Sequence, residues 1–211
     1  MRILVVGMGL ISGSICKSIK AATSHAVYGC DVQQVVLDDA ITDGAIDGTG
    51  TMTDDTYDMI ILCLHQRIAI QMVQEALPKI PAGTILVDTC GLKGRMVRDL
   101  TYRCRKAGVR YVGTHPMAGR EKNGYYASIP NLFQNDNLIV TPVYGTDEAA
   151  LDTVKELADQ MGFGKIVTAT PMWHDNMIAY TSQLAHVVSS SYVKDFCMDD
   201  ALSFPAAAFR I

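Results

Sequence analysis

The chain has 211 residues, 49% of them hydrophobic and 19% charged, enough to bury a sizeable core and to form one or two domains. Its formal net charge of −4, from 18 basic and 22 acidic side chains with no basic stripe, argues against a nucleic-acid partner. No apolar run reaches the roughly 18 residues that span a bilayer, and an N-terminus with a single Arg running into a glycine motif does not read as a signal peptide, so a cytoplasmic protein without membrane contact is expected.

Residues 2–6 form a short apolar run that turns into Gly7-Met8-Gly9 and continues as a helical pattern from Leu10-Ile11 to Ala22. Gly7 permits a tight turn, and Gly9 lets the backbone approach a pyrophosphate seated on the helix N-terminus at Leu10 and Ile11. The third fingerprint position is Ser12, a departure that Gly13 is expected to relieve. A second strand, Val27-Tyr28-Gly29-Cys30, ends in Asp31, 22 residues beyond Gly9, where a carboxylate accepts hydrogen bonds from an adenosine ribose. That carboxylate repels a 2′-phosphate and no Arg follows it, so NAD is expected rather than NADP; the alternative is that Asp31 only caps the next helix.

Residues 58–64 read as a buried strand ending at Leu64 and His65, followed by a helix over 68–77 closed by Pro78. Thr84–Asp88 is another strand, and residues 109–115 another. Strands alternating with helical stretches imply parallel βαβ units, and ligands then lie at the carboxyl ends of the strands. Gly7, Asp31, His65, Asp88 and His115 all fall at such ends and are expected to converge on one crevice. In the loop after Asp88, Lys93 reads equally as a partner for an anionic substrate and as a solvated helix start. Cys90 reads as a nucleophile or, with no His near it in sequence, as a small loop residue.

The stretch Thr114–Gly124, THPMAGREKNG, puts His115 directly after an apolar run, where an imidazole can act as acid, base or hydrogen-bond partner near neutral pH. The alternative is a histidine in an ordinary surface turn. Residues 137–141 suggest a further strand, 146–161 a helix capped by Thr146 with Asp147 and Glu148 in its first turn, and 165–168 a last strand. Pro171 then opens a long, unusually apolar helix to about residue 196, on which His174, Ile178, Ser182 and His186 recur every four residues with Gln183 alongside. Its histidines read alternatively as polar residues lodged in a packing seam, and His174-Asp175 as a capping pair. The six cysteines form no CxxC and sit mostly in apolar segments, which suits small buried hydrophobes, and no metal site is expected. The expected architecture is α/β: a Rossmann-type, doubly wound, mostly parallel sheet over residues 1–170, then an α-helical dimerisation segment over 171–211. One long helix cannot bury its own apolar face, so a homodimer through it is expected.

Several segments together resemble the prephenate/arogenate dehydrogenase family of tyrosine biosynthesis: the turn from Gly7 to Ser14, Asp88 to Lys93, Thr114-His115-Pro116-Met117-Ala118-Gly119-Arg120-Glu121, and Trp173-His174-Asp175 through Ser182-Gln183-Leu184-Ala185-His186. The resemblance implies a Rossmann domain followed by a helical dimerisation domain, with NAD as cofactor. It implies that His115 is catalytic, its neutral imidazole accepting a hydrogen bond from the ring hydroxyl of prephenate while hydride leaves that carbon for NAD. Loss of carbon dioxide then gives 4-hydroxyphenylpyruvate; arogenate is the alternative substrate. It places Gly91, Lys93, Arg120, Gln183 and His186 at the substrate, and Gly7, Gly9, Leu10, Ile11, Asp31, Leu64, His65 and Asp88 at the cofactor. Gly91 stands where the family has a serine, a role Thr89 or a water would have to fill, and Gln183 replaces a histidine. The family continues beyond the point where this sequence stops and carries a carboxylate-clamping arginine there, for which Arg210 is a poor substitute. The helical segment is therefore expected to be the start of an incomplete domain, and a truncated or non-catalytic NAD-binding homologue is the competing expectation. A β-hydroxyacid- or imine-type dehydrogenase fits less well, because the last helix offers only Lys194, Asp175 and Asp195 for its chemistry.

Overall fold

The computed structural model describes residues 1–53 and 57–194. The chain divides into two compact units, Met1–His174 and Asp175–Ile211. In the first, β1 (Arg2–Val6), α1 (Leu10–Ala22), β2 (Ala26–Cys30), α2 (Gln34–Thr42), the short β3 (Gly48–Thr49) and β4 (Met59–Leu62) form the first half. Then follow α3 (Gln66–Ala76), β5 (Ile85–Asp88), α4 (Gly94–Lys106), β6 (Arg110–Pro116), β7 (Asn137–Val140), α5 (Glu148–Gln160) and β8 (Lys165–Thr168). The eight strands make one sheet in the order β3-β2-β1-β4-β5-β6-β7-β8. This is the Rossmann-type α/β architecture expected from the sequence. The order reverses between β1 and β4, the point where such sheets open a ligand crevice at their carboxyl edge.

The strand residues are hydrophobic on both faces because helices cover both. Ile3, Val5, Val27, Ile61 and Val87 pack with Ile15 and Ile19 of α1, Leu37 of α2 and Leu157 of α5. Their neighbours Leu4, Val6, Ile60, Leu62 and Leu86 point the other way, onto Val73 of α3 and Met96 and Leu100 of α4. All strand pairs are parallel except β6 with β7, where Thr114, His115 and Pro116 face Val140, Ile139 and Leu138. The chain between β6 and β7 holds only a 3-10 turn at Tyr125–Ala127. With no helix to carry the chain back across the sheet, β7 enters from the opposite end and runs antiparallel.

Helix α5 begins one residue later than the sequence suggests. Asp147 is its cap, accepting from the Ala150 N–H at 2.8 Å, while the Thr146 hydroxyl accepts from the Val143 N–H at 3.0 Å and so closes the preceding turn. The helical run expected from Pro171 is present as α6 (Pro171–Ile178), a π-helical turn at Ala179–Gln183 and α7 (Leu184–Val193). Its expected end near residue 196, and the readings of Asp195, Cys197 and Arg210, lie outside the described residues. In the second unit Leu184, Val187, Val188 and Tyr192 on α7 are all about half exposed or more, along with Tyr180. No described helix is long and apolar enough to cross a membrane.

Candidate active site

The glycine turn is set by two different constraints. Gly7 has φ +88°, and a Cβ there would lie 2.6 Å from the Cys63 carbonyl oxygen at the end of β4, so only glycine satisfies both backbone and neighbour. At Gly9 an added Cβ would meet nothing nearer than the Ser12 Oγ, at 4.0 Å, leaving open space in front of the first turn of α1. The backbone amides of Leu10 and Ile11 begin that 13-residue helix, so a phosphate group fits against its N-terminus. Ser12, the departure from the glycine fingerprint, is buried and accepts from the Gly9 N–H at 2.6 Å. The small residue required for close packing is Gly13: a Cβ there would sit 2.7 Å from the Ser128 Oγ and 2.8 Å from the Tyr125 ring. Around it, the Ser14 hydroxyl accepts from the Ile129 N–H, the Ser18 hydroxyl donates to the Pro130 carbonyl, and the Lys17 ammonium lies over the Tyr125 ring at 4.6 Å. The polar face of α1 therefore anchors the segment 125–130.

Asp31, just past β2, accepts from the Met8 N–H at 2.6 Å and the Gln33 N–H at 2.9 Å. Its carboxylate thus fixes the glycine turn and the approach to α2, but it does not cap that helix, whose N-cap is Gln33. A carboxylate offers about four acceptor positions, so capacity remains for ribose hydroxyls. Leu64 is half-buried, its side chain lying against Gly7, and His65 is exposed as the cap of α3. These residues line the carboxyl edge beside the glycine turn.

Asp88 and Lys93 face inward. Both are fully buried, and the Lys93 ammonium donates to the Asp88 Oδ1 and, at 2.5 Å, to the Thr114 carbonyl. Asp88 also accepts from the Cys90 N–H at 2.9 Å and from the Tyr111 hydroxyl at 2.6 Å. Burial, reinforced by the Asp88 charge, pushes the Tyr111 hydroxyl well above its ordinary pKa and keeps it a donor. The Thr114 hydroxyl donates to the Asp88 carbonyl at 2.7 Å. This network ties the β5 end to the residue immediately before His115. Lys93 thus has no surface from which to touch a substrate, and Asp88 none from which to touch a cofactor; both hold the floor under the histidine.

His115, near the end of β6, is partly buried. A Cβ built on Gly91 would lie 3.7 Å from its Nε2, so that nitrogen faces the loop after β5. Thr89, expected to stand in for the family's serine, instead donates to the Leu62 carbonyl at 3.2 Å. Its hydroxyl is turned to the neighbouring strand because the β5 end is pinned by Asp88. The Gln66 amide donates to the Leu92 carbonyl at 3.2 Å and braces the same loop from α3. The Cys90 thiol is pushed up to about 12, first by burial and then by the Asp88 charge, and donates to the Leu64 carbonyl at 3.3 Å. It is a protonated structural thiol, not a nucleophile.

The Nδ1 of His115 lies 2.9 Å from the Nε2 of His174, whose side chain is fully buried, with the rings edge to face at 68°. In the sequence His174 reads as a cap or a seam residue, because periodicity on one helix carries no sign of a contact 59 residues away. Arg120 is exposed and donates to the Ala127 carbonyl at 2.9 Å, closing the loop after β6. Gln183 and His186 are exposed residues of the second unit. No group of three metal-ligating side chains that could hold an ion occurs among the described residues.

Residues 15–168 match the family model described as "Prephenate dehydrogenase, nucleotide-binding domain". The cyclohexadienyl dehydrogenase of Zymomonas mobilis is 29% identical over 196 residues, covering 89% of this chain and 64% of that protein. The prephenate dehydrogenase of Bacillus subtilis is 28% identical over 196 residues, covering 90% of this chain and 52% of that protein. The chain thus spans between about half and just under two thirds of these relatives. Among solved structures, Aquifex aeolicus prephenate dehydrogenase in complex with hydroxyphenyl propionate and NAD+ superposes with a TM-score of 0.82 at 27% identity, covering 99% of this chain and 72% of that one. Synechocystis arogenate dehydrogenase superposes equally well, 0.82, at 23% identity, covering 100% of this chain and 77% of that one, a likeness of fold. The family match covers well over half of the sequence, from within α1 to β8, so this chain belongs to the prephenate dehydrogenase family and carries its nucleotide-binding domain.

Proposed function

We propose that this chain binds NAD along the carboxyl edge of the sheet and serves the oxidative decarboxylation of prephenate to 4-hydroxyphenylpyruvate, with His115 as the hydrogen-bond acceptor of the ring hydroxyl. The observation that carries this is the placement of His115 at the end of β6 with its Nε2 turned toward Gly91, on the same sheet edge as the glycine turn and Asp31. The pyrophosphate would lie on the amides of Leu10 and Ile11, the ribose on Asp31, and the nicotinamide toward Leu64, His65 and the β5 end. NAD, when bound, supplies the acceptor for the hydride. No basic side chain occupies residues 32–36, which favours NAD over its 2′-phosphorylated form.

As hydride leaves the ring carbon, the O–H proton passes to the His115 Nε2 and the C–O bond becomes a carbonyl. The carboxylate carbon then departs as carbon dioxide, its bond electrons aromatise the ring, and the oxygen recovers a proton from His115. Lys93 and Asp88 position the histidine from below. Arg120 spends one of its five donor hydrogens on Ala127 and has the chemistry to meet a substrate carboxylate. Gln183 and His186 are the second unit's candidates for the substrate. Arogenate is the alternative substrate, differing by an amine in place of the keto group. The exposed apolar stripe Leu184, Val187, Val188 and Tyr192 supports a homodimer through α7, and the family's biosynthetic role suits the cytoplasm. A monomeric sedimentation profile at micromolar concentration would remove the dimer.

The test is formation of NADH with prephenate and with arogenate, by the parent and by His115→Asn. The expected result is turnover that falls about 100-fold or more in the variant, the range of a lost acid–base group, with NAD affinity retained. Equal turnover by parent and variant would refute the role of His115. Retained NAD affinity with no turnover of either substrate by the parent would favour a non-catalytic binding protein.

A further inference from the structure

The two nitrogens of His115 face different surroundings. Nε2 looks to the loop at Gly91, whereas Nδ1 meets the Nε2 of His174 at 2.9 Å in the first turn of α6. Two imidazole nitrogens at that separation share one proton, so the pair has two arrangements. In one, His115 carries its proton on Nδ1 and donates it to His174, leaving a lone pair on Nε2. In the other, His174 donates, His115 carries its own proton on Nε2, and it can only donate to whatever approaches.

We infer that His174 is a positioning residue that holds His115 in the Nδ1–H tautomer and aims its Nε2 lone pair at the substrate hydroxyl. The inference rests on the role of His115 proposed above. Only this arrangement survives the reaction unchanged: when Nε2 takes the hydroxyl proton, Nδ1–H still donates to the same acceptor. In the opposite arrangement Nε2 is already protonated and the substrate proton has nowhere to go. His174 is fully buried and its backbone N–H is bonded to the Thr170 carbonyl at 2.9 Å, so its ring is held in place and is not a mobile surface group. Orienting one histidine through the nitrogen it does not use is a recurrent device of imidazole sites.

The direct test is the tautomer of His115 in protein labelled with 15N-histidine, read from two-bond proton–nitrogen correlations near neutral pH. The sequence has five histidines, and His115→Asn and His174→Asn assign the two signals. A neutral His115 protonated on Nδ1 is the expected result; protonation on Nε2 would overturn the inference. This reading needs no substrate, so it stands or falls separately from the activity. In turnover, His174→Phe is expected to lower kcat by about 10- to 100-fold with KM changed less than about 2-fold, the scale of a lost orienting partner. His174→Gln, whose amide oxygen can occupy the acceptor position, is expected to recover most of that loss. Equal losses in the two variants would contradict a tautomer-holding role. Should His174→Phe not fold, the tautomer of the parent still decides the question. If the tautomer is as expected but His115→Asn remains fully active, the role of His115 fails while the geometry of the pair stands.

Discussion

Replacing Lys93 with Met tests the buried network beneath His115. The substitution keeps most of the side-chain volume, removes the charge and leaves the fully buried Asp88, among the described residues, with the Cys90 N–H and the Tyr111 hydroxyl. Removing one partner of a buried pair costs about 3–5 kcal/mol, because the other charge stays desolvated without its counterion. The Thr114 carbonyl also loses its donor, worth about 1 kcal/mol more. The expected loss is therefore about 4–6 kcal/mol, read as a lower urea midpoint at unchanged slope. In Asp88→Asn/Lys93→Met both charges are gone while the neutral amide still accepts from Tyr111. The double variant is expected to lose about 2 kcal/mol less than the sum of its single changes, a coupling typical of directly bonded partners. A loss below about 1 kcal/mol in Lys93→Met, or additive single changes, would mean that the ammonium reaches water and the network is not as described.

Other outcomes follow from the same geometry. Gly13→Ala gains about 1 kcal/mol of helix propensity but drives a Cβ to within 2.9 Å of Ser128 and Tyr125, so a net loss of about 1–2 kcal/mol is expected in thermal unfolding. Gly91→Ser is sterically free, with nothing nearer its Cβ than the His115 Nε2 at 3.7 Å, and puts a hydroxyl where the family has one. It is expected to raise kcat/KM by up to about 10-fold, equivalent to about 1.4 kcal/mol of added transition-state stabilisation; an unchanged rate would show that this hydroxyl is dispensable. The Cys90 thiol, pushed up to about 12, stays protonated across the neutral range, so a thiol reagent at pH 8 should label it at least about 100-fold more slowly than in denaturant. Rapid native labelling assigned to Cys90 by mass spectrometry would contradict its burial.

Much of this frame is legible in the sequence because local rules and global fold agree there. The β1 run, the positive φ demanded of Gly7 and the acidic end of β2 each have a short-range signature. The rest depends on contacts between distant segments. Lys93 reads equally as a partner for an anionic substrate and as a solvated helix start; only the packing of β5 against β6 reveals that its ammonium is enclosed between Asp88 and Thr114. The antiparallel direction of β7 follows from the missing crossover helix, yet the segment between β6 and β7 contains residues that could belong to one. The close-packing glycine is Gly13 and not the fingerprint position, because α1 lies against 125–130, a segment more than 100 residues away in sequence. His174 likewise acquires meaning only when α6 brings it to His115.

The proposed function requires that the glycine turn, Asp31 and His115 line one crevice that takes NAD. Titrating NAD into 15N-labelled protein and mapping which amides shift tests it most directly. The largest shifts are expected at Leu10, Ile11, Asp31, Leu64 and the segment around His115, with a weaker response to the 2′-phosphorylated cofactor. No saturable shifts, or shifts centred on the opposite edge of the sheet, would contradict it.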